Sequence, residues 1–419
     1  NIIDRGYGSE IGTFQDEGVY SLISGNLMDV CPVGAITTRD YRFKSRPWDN
    51  PTAVDTICTR CEKGCNTTAW LKAKPEWAKG SRLIRFTPRY VPEVNGYWMC
   101  DIGRFDYHWI ESEHRLRRPL ARDGRGGMQP VSWNDVLRGL VDRLSAAGRS
   151  NADGVRFLVS AHASHEELFL FRRLAEELVG NTNGITATWT SSRKPQPAGT
   201  KFVVPETDAP NVAGVRAFGL ADEVSKLRAA VEAGRVTALY VYDPGPATLG
   251  DVEWIINARN KGVLPLLVVQ GVLLTPLAEA ADFVLPGASS SEKETSYTNA
   301  QGRVQGASRA MPLVGESMED WSILVTVAKA LGVDLPYSDA ASVRADIGAR
   351  FAGTPALAGI TALTFGEPME GRHWLEASNP SERWKWDFMF QDLPPVKGAL
   401  ELSALPPAPV AVIPLKEVK

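Results

Sequence analysis

The chain has 419 residues and a mass of 45.7 kDa, enough for two or three domains, each with its own core. Apolar residues make up 44% and charged residues 23%, a balance that argues against wholesale disorder. The formal net charge of −3 offers no general attraction for nucleic acid or an anionic membrane, so no nucleic-acid partner is expected.

The opening Asn1-Ile2-Ile3-Asp4-Arg5 has neither an initiator Met nor a secretory pattern, and reads as entered mid-domain, so the chain is expected to be N-terminally incomplete. Gly6, Gly8 and Gly12 lack the spacing and the preceding strand of a dinucleotide fingerprint. Residues 1–40 are rich in glycine and turns. Residues 41–55, with Pro47 and Pro51, read as a linker, and short strands are expected at Leu83–Phe86 and Tyr97–Met99.

From Pro119 the texture changes. Ser132 followed by Val136, Leu137, Leu140, Val141 and Leu144 predicts a capped amphipathic helix. A buried strand at Val155–Ser160 precedes a helical pattern over His165–Val179. Further strands are expected at Val236–Tyr242, Leu264–Val269 and Asp282–Leu285, with a short helix from Thr275 to Ala281 between the last two. The apolar stretch 263–274 is broken by Pro265, Gln270 and Gly271 and falls short of the roughly 20 residues of a membrane span, so no direct span is expected. Helix returns at Trp321–Leu331, and 391–419 is a Pro-rich tail. Strand alternating with helix predicts an α/β fold with a doubly wound, mostly parallel sheet.

All five cysteines lie in the first 100 residues, which points to metal rather than a disulfide scaffold. Cys58, Cys61 and Cys65 form C-x2-C-x3-C, and Cys100 follows 34 residues later. Three thiolates on one tight loop plus a distant fourth suit the corners of a cubane cluster, with Gly64 allowing close approach of the backbone. A four-Cys zinc site is the alternative, but zinc favours two C-x2-C pairs. Cys31, in Cys31-Pro32-Val33-Gly34, is either a small buried hydrophobe or a cluster ligand with partners upstream. His162 and His165 read as a polar loop before a helix. Trp70, Trp77, Tyr97, Trp98, Tyr107 and Trp109 read as packing around the cysteines.

Four segments together resemble the large iron–sulfur subunit of NADH–quinone oxidoreductase (respiratory complex I). They are Gly25–Ala35, the cysteine set, Cys100–Phe105, and Glu292-Lys293-Glu294 with Thr298, Asn299, Gly302, Arg303, Val304 and Gln305. The likeness runs to about residue 310. It implies a [4Fe–4S] cluster held by Cys58, Cys61, Cys65 and Cys100. Cys31 would be the fourth ligand of an upstream cluster whose other ligands are absent, its loop shaped by Asp29 and Pro32.

The resemblance further implies an iron–sulfur domain followed by a molybdopterin-oxidoreductase-like domain without molybdopterin. Residues 1–40 would be the end of a ferredoxin-like domain, 56–118 the [4Fe–4S] domain and 119–390 the α/β domain. The Glu292–Glu294 loop, Asn299, Gly302 and Arg303 would be structural remnants. Electrons from NADH and FMN would pass towards quinone, with no catalytic centre for NADH or quinone on this chain. The partners would be the flavoprotein and membrane-proximal iron–sulfur subunits, on the cytoplasmic face of the bacterial inner membrane. Whether the cluster conducts or holds the fold stays open.

The rival reading is an active molybdopterin-dependent oxidoreductase such as a formate dehydrogenase or nitrate reductase. No Cys follows Cys100 to serve as a metal ligand, and Asp101-Ile102-Gly103-Arg104 stands where such enzymes usually place a Lys. The 319 residues after Cys100 are also few for a bulky bis-pterin.

Overall fold

The structure, a computed structural model, describes residues 2–12, 21–46, 49–50, 52–78, 80–180, 182–196 and 198–367. The expected Pro-rich tail, Pro47, Pro51 and the side chain of Trp77 lie outside what it describes. Strands β1 (Ile2–Ile3) and β2 (Glu10–Ile11) pair antiparallel. Helix α1 (Asn26–Val30) runs into Cys31, and α2 (Arg39–Arg42) starts at Thr38, whose hydroxyl accepts the Tyr41 amide at 3.2 Å.

The cysteine region is built on three antiparallel strands, β3 (Thr52–Ile57), β4 (Asn66–Leu71) and β5 (Leu83–Pro88), with β4 central and buried along its length. Residues 52–55, expected as linker, are the first part of β3. Thr52, Val54, Thr56 and Ile57 are β-branched and suit a pleated, half-buried surface. The preceding residues are packed too. Lys72 Nζ donates to the Lys44 carbonyl at 2.8 Å, and Asn50 Nδ2 donates to the Tyr41 hydroxyl at 3.1 Å. Tyr97–Met99, expected as a strand, is not one. A tight turn bridging Val91 and Gly96 replaces it, held by Asn95 Nδ2 donating to the carbonyls of Arg89 and Trp98. Helix α3 (Asp101–Phe105) then begins directly at Cys100.

The second region is the expected doubly wound α/β layer. It starts with β6 (Leu120–Arg122), β7 (Met128–Pro130) and α4 (Trp133–Ser150), then β8 (Val155–Ser160), α5 (His165–Val179) and β9 (Ile185–Thr188). Next come α6 (Val212–Ala217), α7 (Val224–Glu232), β10 (Ala238–Asp243), α8 (Glu253–Asn260), β11 (Leu266–Gly271), α9 (Pro276–Ala280) and β12 (Phe283–Pro286). The sheet order is β7-β6-β12-β11-β10-β8-β9, parallel from β12 to β9, with β6 and β7 antiparallel at one edge.

Alternate residues of each central strand serve opposite cores. Phe157, Tyr240 and Val268 pack with α4 and α5, while Leu158, Val241 and Val269 pack with α7 and α8. That division is why the strands read as continuous apolar runs. Ser132 caps α4 by accepting the Asp135 amide at 3.2 Å, and Ser164 with Glu167 forms a capping box on α5. An antiparallel hairpin, β13 (Thr295–Thr298) and β14 (Val304–Ala307), turns back towards the cysteine region, followed by α10 (Asp320–Ala330) and α11 (Ala340–Arg350).

Candidate metal centre

The C-x2-C-x3-C loop is the connection between β3 and β4, closed by the Cys58 amide donating to the Cys65 carbonyl at 2.7 Å. Gly64 takes φ +63°, which an L side chain rarely adopts, and a Cβ there would sit 2.5 Å from Gln305 Oε1. The β13–β14 hairpin clamps the loop from outside. Ala300 N donates to the Glu62 carbonyl at 2.7 Å, and Gln305 Nε2 donates to the Gly64 carbonyl at 3.0 Å. With Asn299 Nδ2 donating to the Lys63 carbonyl at 3.4 Å, Asn299 and Gln305 both position the cysteine loop. The sequence alone marks Asn299 only as a structural remnant and assigns Gln305 no contact.

Cys100 arrives as the N-cap of α3, its Sγ accepting the Gly103 amide at 3.4 Å. A Cβ on Gly103 would lie 2.8 Å from Cys58 Sγ and 3.8 Å from Cys100 Sγ, so both sulfurs face this glycine. Cys58, Cys65 and Cys100 share an apolar cluster with Leu22, Ile23, Trp98, Ile102, Phe202 and Val204. Phe202 and Val204 come from the loop between β9 and α6, a contact that no local pattern announces.

Burial raises all four thiol pKa values. Cys61 is pushed up to about 12 by desolvation and the neighbouring Cys100, with Lys63 and Lys194 acting against that rise. Cys58 and Cys65 are raised as well, by desolvation first and then by the other cysteines. Desolvation also raises Cys100, against the amides of Gly103 and Ile102. Four thiolates crowded together in an apolar pocket need a positive group to hold their charge, and binding one releases protons. Among the described residues, no group of three or more His, Cys, Asp or Glu side chains converges as a single-ion site.

Cys31 stands apart from that group, partly exposed at the end of α1. The amide of Ile36, and less strongly those of Ala35, Gly34 and Val33, hold its thiol pKa below the ordinary value. Its helix is stitched to α3. Arg104 Nη2 donates to Asp29 Oδ2 at 2.5 Å with both side chains buried, and Gly25 N donates to Asp101 Oδ1 at 2.8 Å. The Arg that stands near an expected Lys position is therefore engaged in a buried ion pair.

The other place where a ligand could sit is the crevice at the C-terminal ends of β8 and β10, where the strand order reverses. Trp109 fills its mouth: a Cβ on Gly245 would be 3.3 Å from the Trp109 ring. What remains, lined by Thr59, Arg60, His162, Thr248, Ser290 and Lys293 among others, has room for about one or two water molecules. Lys293 is bonded to Glu167, to Asp320 at 2.7 Å and to the Tyr242 hydroxyl at 3.0 Å. Burial works against its charge, but Asp320 and Glu167 keep the ammonium protonated. Glu292 pairs with Arg115 at 2.6 Å, and Arg344 bridges Glu166 and Glu294.

The expectation of a polar loop before a helix holds for His162, which lies in the turn ahead of α5, but needs correction for His165. His165 is the first residue of α5 and fully buried, its ring nitrogens 3.0 Å from the Ser296 hydroxyl and 2.9 Å from that of Thr298. Two hydroxyls on β13 satisfy it, which makes a core position tolerable.

Comparison with known proteins agrees with this layout. Residues 1–37 match the family model for the ferredoxin-like domain of NADH-quinone oxidoreductase subunit 3, and residues 217–330 match that for molybdopterin oxidoreductase. NADH-quinone oxidoreductase subunit 3 of Thermus thermophilus is 35% identical over 42% of this chain and 21% of its own length. The mitochondrial NADH-ubiquinone oxidoreductase 78 kDa subunit of Neurospora crassa is 26% identical over 81% of this chain and 59% of its own. The mitochondrial NADH dehydrogenase [ubiquinone] iron-sulfur protein 1 of Solanum tuberosum is 34% identical over 32% of this chain and 17% of its own. The chain thus spans only part of the length of the relatives it matches. By sequence it is similar to NADH-quinone oxidoreductase subunit 3 and, over more of its length, to the mitochondrial NADH-ubiquinone oxidoreductase 78 kDa subunit.

Proposed function

We propose that this chain is an electron-transfer iron–sulfur subunit of NADH-quinone oxidoreductase, and that Cys58, Cys61, Cys65 and Cys100 hold one [4Fe–4S] cluster. The observation that carries the reading is that the Cys58 and Cys100 sulfurs both face Gly103, with Cys65 in the same apolar cluster and Cys61 buried on the same loop. Soft sulfur donors with close glycine approach fit an iron–sulfur group. A four-Cys zinc site favours two C-x2-C pairs, whereas Cys100 here stands alone. When bound, the group supplies storage of one electron at a time. The chain's residues hold it, exclude water through Phe202, Val204 and Trp98, and offer the Gly103 amide to a ligand sulfur.

The cytoplasmic face of the bacterial inner membrane, with the flavoprotein and membrane-proximal iron–sulfur subunits as partners, is the setting in which such a subunit works. No described helix is long and apolar enough to cross a membrane. Cys31 is assigned to a second cluster completed by other residues, in line with its amide-lined turn. The rival molybdopterin enzyme is disfavoured by the crevice. A bis-pterin there would have to displace Trp109, which lies against Gly245, and break the buried contacts of Lys293 with Glu167 and Asp320.

Low-temperature EPR of the dithionite-reduced chain tests the assignment. A [4Fe–4S] signal present in the unsubstituted chain and absent from Cys61→Ala supports it, and an EPR-silent chain containing stoichiometric zinc contradicts it.

A further inference from the structure

One short helix touches both cysteine positions. Helix α3 has five residues, too few to keep its shape without tertiary contacts. One of its faces belongs to the four-cysteine site: Cys100 caps the helix, and Gly103 lies against the Cys58 and Cys100 sulfurs. The other face, carrying Asp101 and Arg104, reaches into the segment that ends at Cys31.

That segment is fastened by polar contacts with residues 99–104. The Leu22 carbonyl accepts the Asp101 amide at 2.7 Å, and the Asp101 carboxylate accepts Ser24 Oγ at 2.5 Å and Gly25 N at 2.8 Å. Asn26 pairs with Met99 in both directions, Nδ2 donating to its carbonyl at 2.7 Å and Oδ1 accepting its amide at 3.2 Å. Arg104 Nη2 donates to Asn26 Oδ1 at 3.2 Å and to Asp29 Oδ2 at 2.5 Å. A Cβ on Gly25 would lie 2.7 Å from Arg104 Cδ, so glycine leaves room for the arginine. Helix α1 itself has little apolar anchorage. Leu27 and Val30 are exposed, and its buried side chains are Asn26 and Asp29. Just before it, Leu22 and Ile23 pack into the same apolar cluster as Cys58, Cys65 and Cys100.

We propose that α3 is the shared support of both cysteine positions: residues 22–31, and Cys31 with them, stay docked only while the four-cysteine site is occupied. Asp101 and Arg104 are the positioning residues. The inference rests on the cluster assignment above. Ligation of Cys100 fixes the cap of α3 and the sulfurs around Gly103. Without it the helix loses that face, and hydrogen bonds of modest net worth cannot hold α1 against the entropy of the freed chain. The opening is local, confined to 22–31 and 99–105. An order of assembly follows, in which the four-cysteine site fills before Cys31 is presented to its own partners.

The test is hydrogen exchange of the purified full chain, read by mass spectrometry in peptides covering 22–31 and, as a control, α10. It is run with iron and sulfide bound and again after their removal with ferricyanide and EDTA. Removal is expected to speed exchange in 22–31 several-fold and to leave α10 unchanged. Equal exchange in 22–31 before and after removal, or the same acceleration in α10, overturns the proposal. Arg104→Met is expected to shrink the difference between bound and stripped chain at 22–31, and Arg104→Lys to restore part of it. A merely structural arginine would speed exchange by the same factor in both states and leave the difference intact, and that result also overturns the proposal. If Arg104→Met does not fold, Asp101→Ala at its half-buried position decides by the same comparison. An unsubstituted chain without iron and sulfide would remove the cluster assignment, and this inference with it.

Discussion

Two regions of this chain are built to surround something, and they have been finished differently. At the β3–β4 loop, Gly103 leaves room for the sulfurs of Cys58 and Cys100, Gly64 lets the loop lie against Gln305, and apolar side chains from three separate segments close around the cysteines. At the crevice between β8 and β10, a position that commonly receives ligands in open α/β sheets, Trp109 lies against Gly245. Behind it, Lys293, Glu167 and Asp320 satisfy one another. The first region ends in four thiols that burial leaves short of a positive partner; in the second, the Lys293 ammonium is already held between two carboxylates of the chain. A retained ligand cage is thus recognised by donors lacking a partner, and a closed one by donors that have found partners within the chain.

That contrast can be broken most severely at the cysteines. Cys61→Ala removes one of four ligands and is expected to abolish bound iron and acid-labile sulfide, read by chemical assay. The equivalent cut in the crevice is Lys293→Met, which strands Glu167 and Asp320 in the core. A loss of about 3–5 kcal/mol in urea unfolding is expected, as for other broken buried pairs, while folded molecules keep their iron. Iron loss from native Lys293→Met protein would show that the two regions are not independent.

Acid sharpens the same comparison. His162 and His165 are both held down to about 3 by burial, whereas an unfolded histidine titrates near 6.5. Their folded pKa values are depressed, so the unfolded state binds more protons between pH 6.5 and 3, and the stability they contribute is lost as pH falls through that window. Lowering pH from 7 to 5 should cost about 2 kcal/mol per histidine, and His165→Gln should flatten the slope of unfolding free energy against pH. Asp243 acts oppositely. Burial raises it to about 6, so its stabilising contribution is present below about 4 and fades as pH rises through 6.

The smallest effect expected is at the clamp. Gln305→Ala leaves the buried Gly64 carbonyl without its 3.0 Å partner and should cost about 1–3 kcal/mol. It should also speed loss of iron in air, followed by the decay of visible absorbance.

Much of this was legible from residue order. The cysteine spacing marked the loop, Ser132 marked the start of α4, and runs such as Val155–Ser160 marked strands buried on both faces. What stayed hidden has a physical reason in each case. Residues 190–208 hold no apolar periodicity, because a hairpin locked by Lys194, Gln196 and backbone carbonyls needs none. The prolines around Trp48 suggested a linker, and they masked the β-branched start of β3 at Thr52. The plug at Trp109 depends on Gly245, 136 positions away in sequence, and such a contact leaves no local trace. His165 looked like a loop residue because the hydroxyls that make its burial tolerable sit on β13.

The central claim is that the cysteine region is a working cage and the crevice a closed one. Anaerobic assay of the purified chain for iron, acid-labile sulfide and molybdenum tests both halves together. The account predicts about four iron and four sulfide per chain from one four-cysteine cluster, and no molybdenum. Stoichiometric molybdenum, or zinc without sulfide, would contradict it.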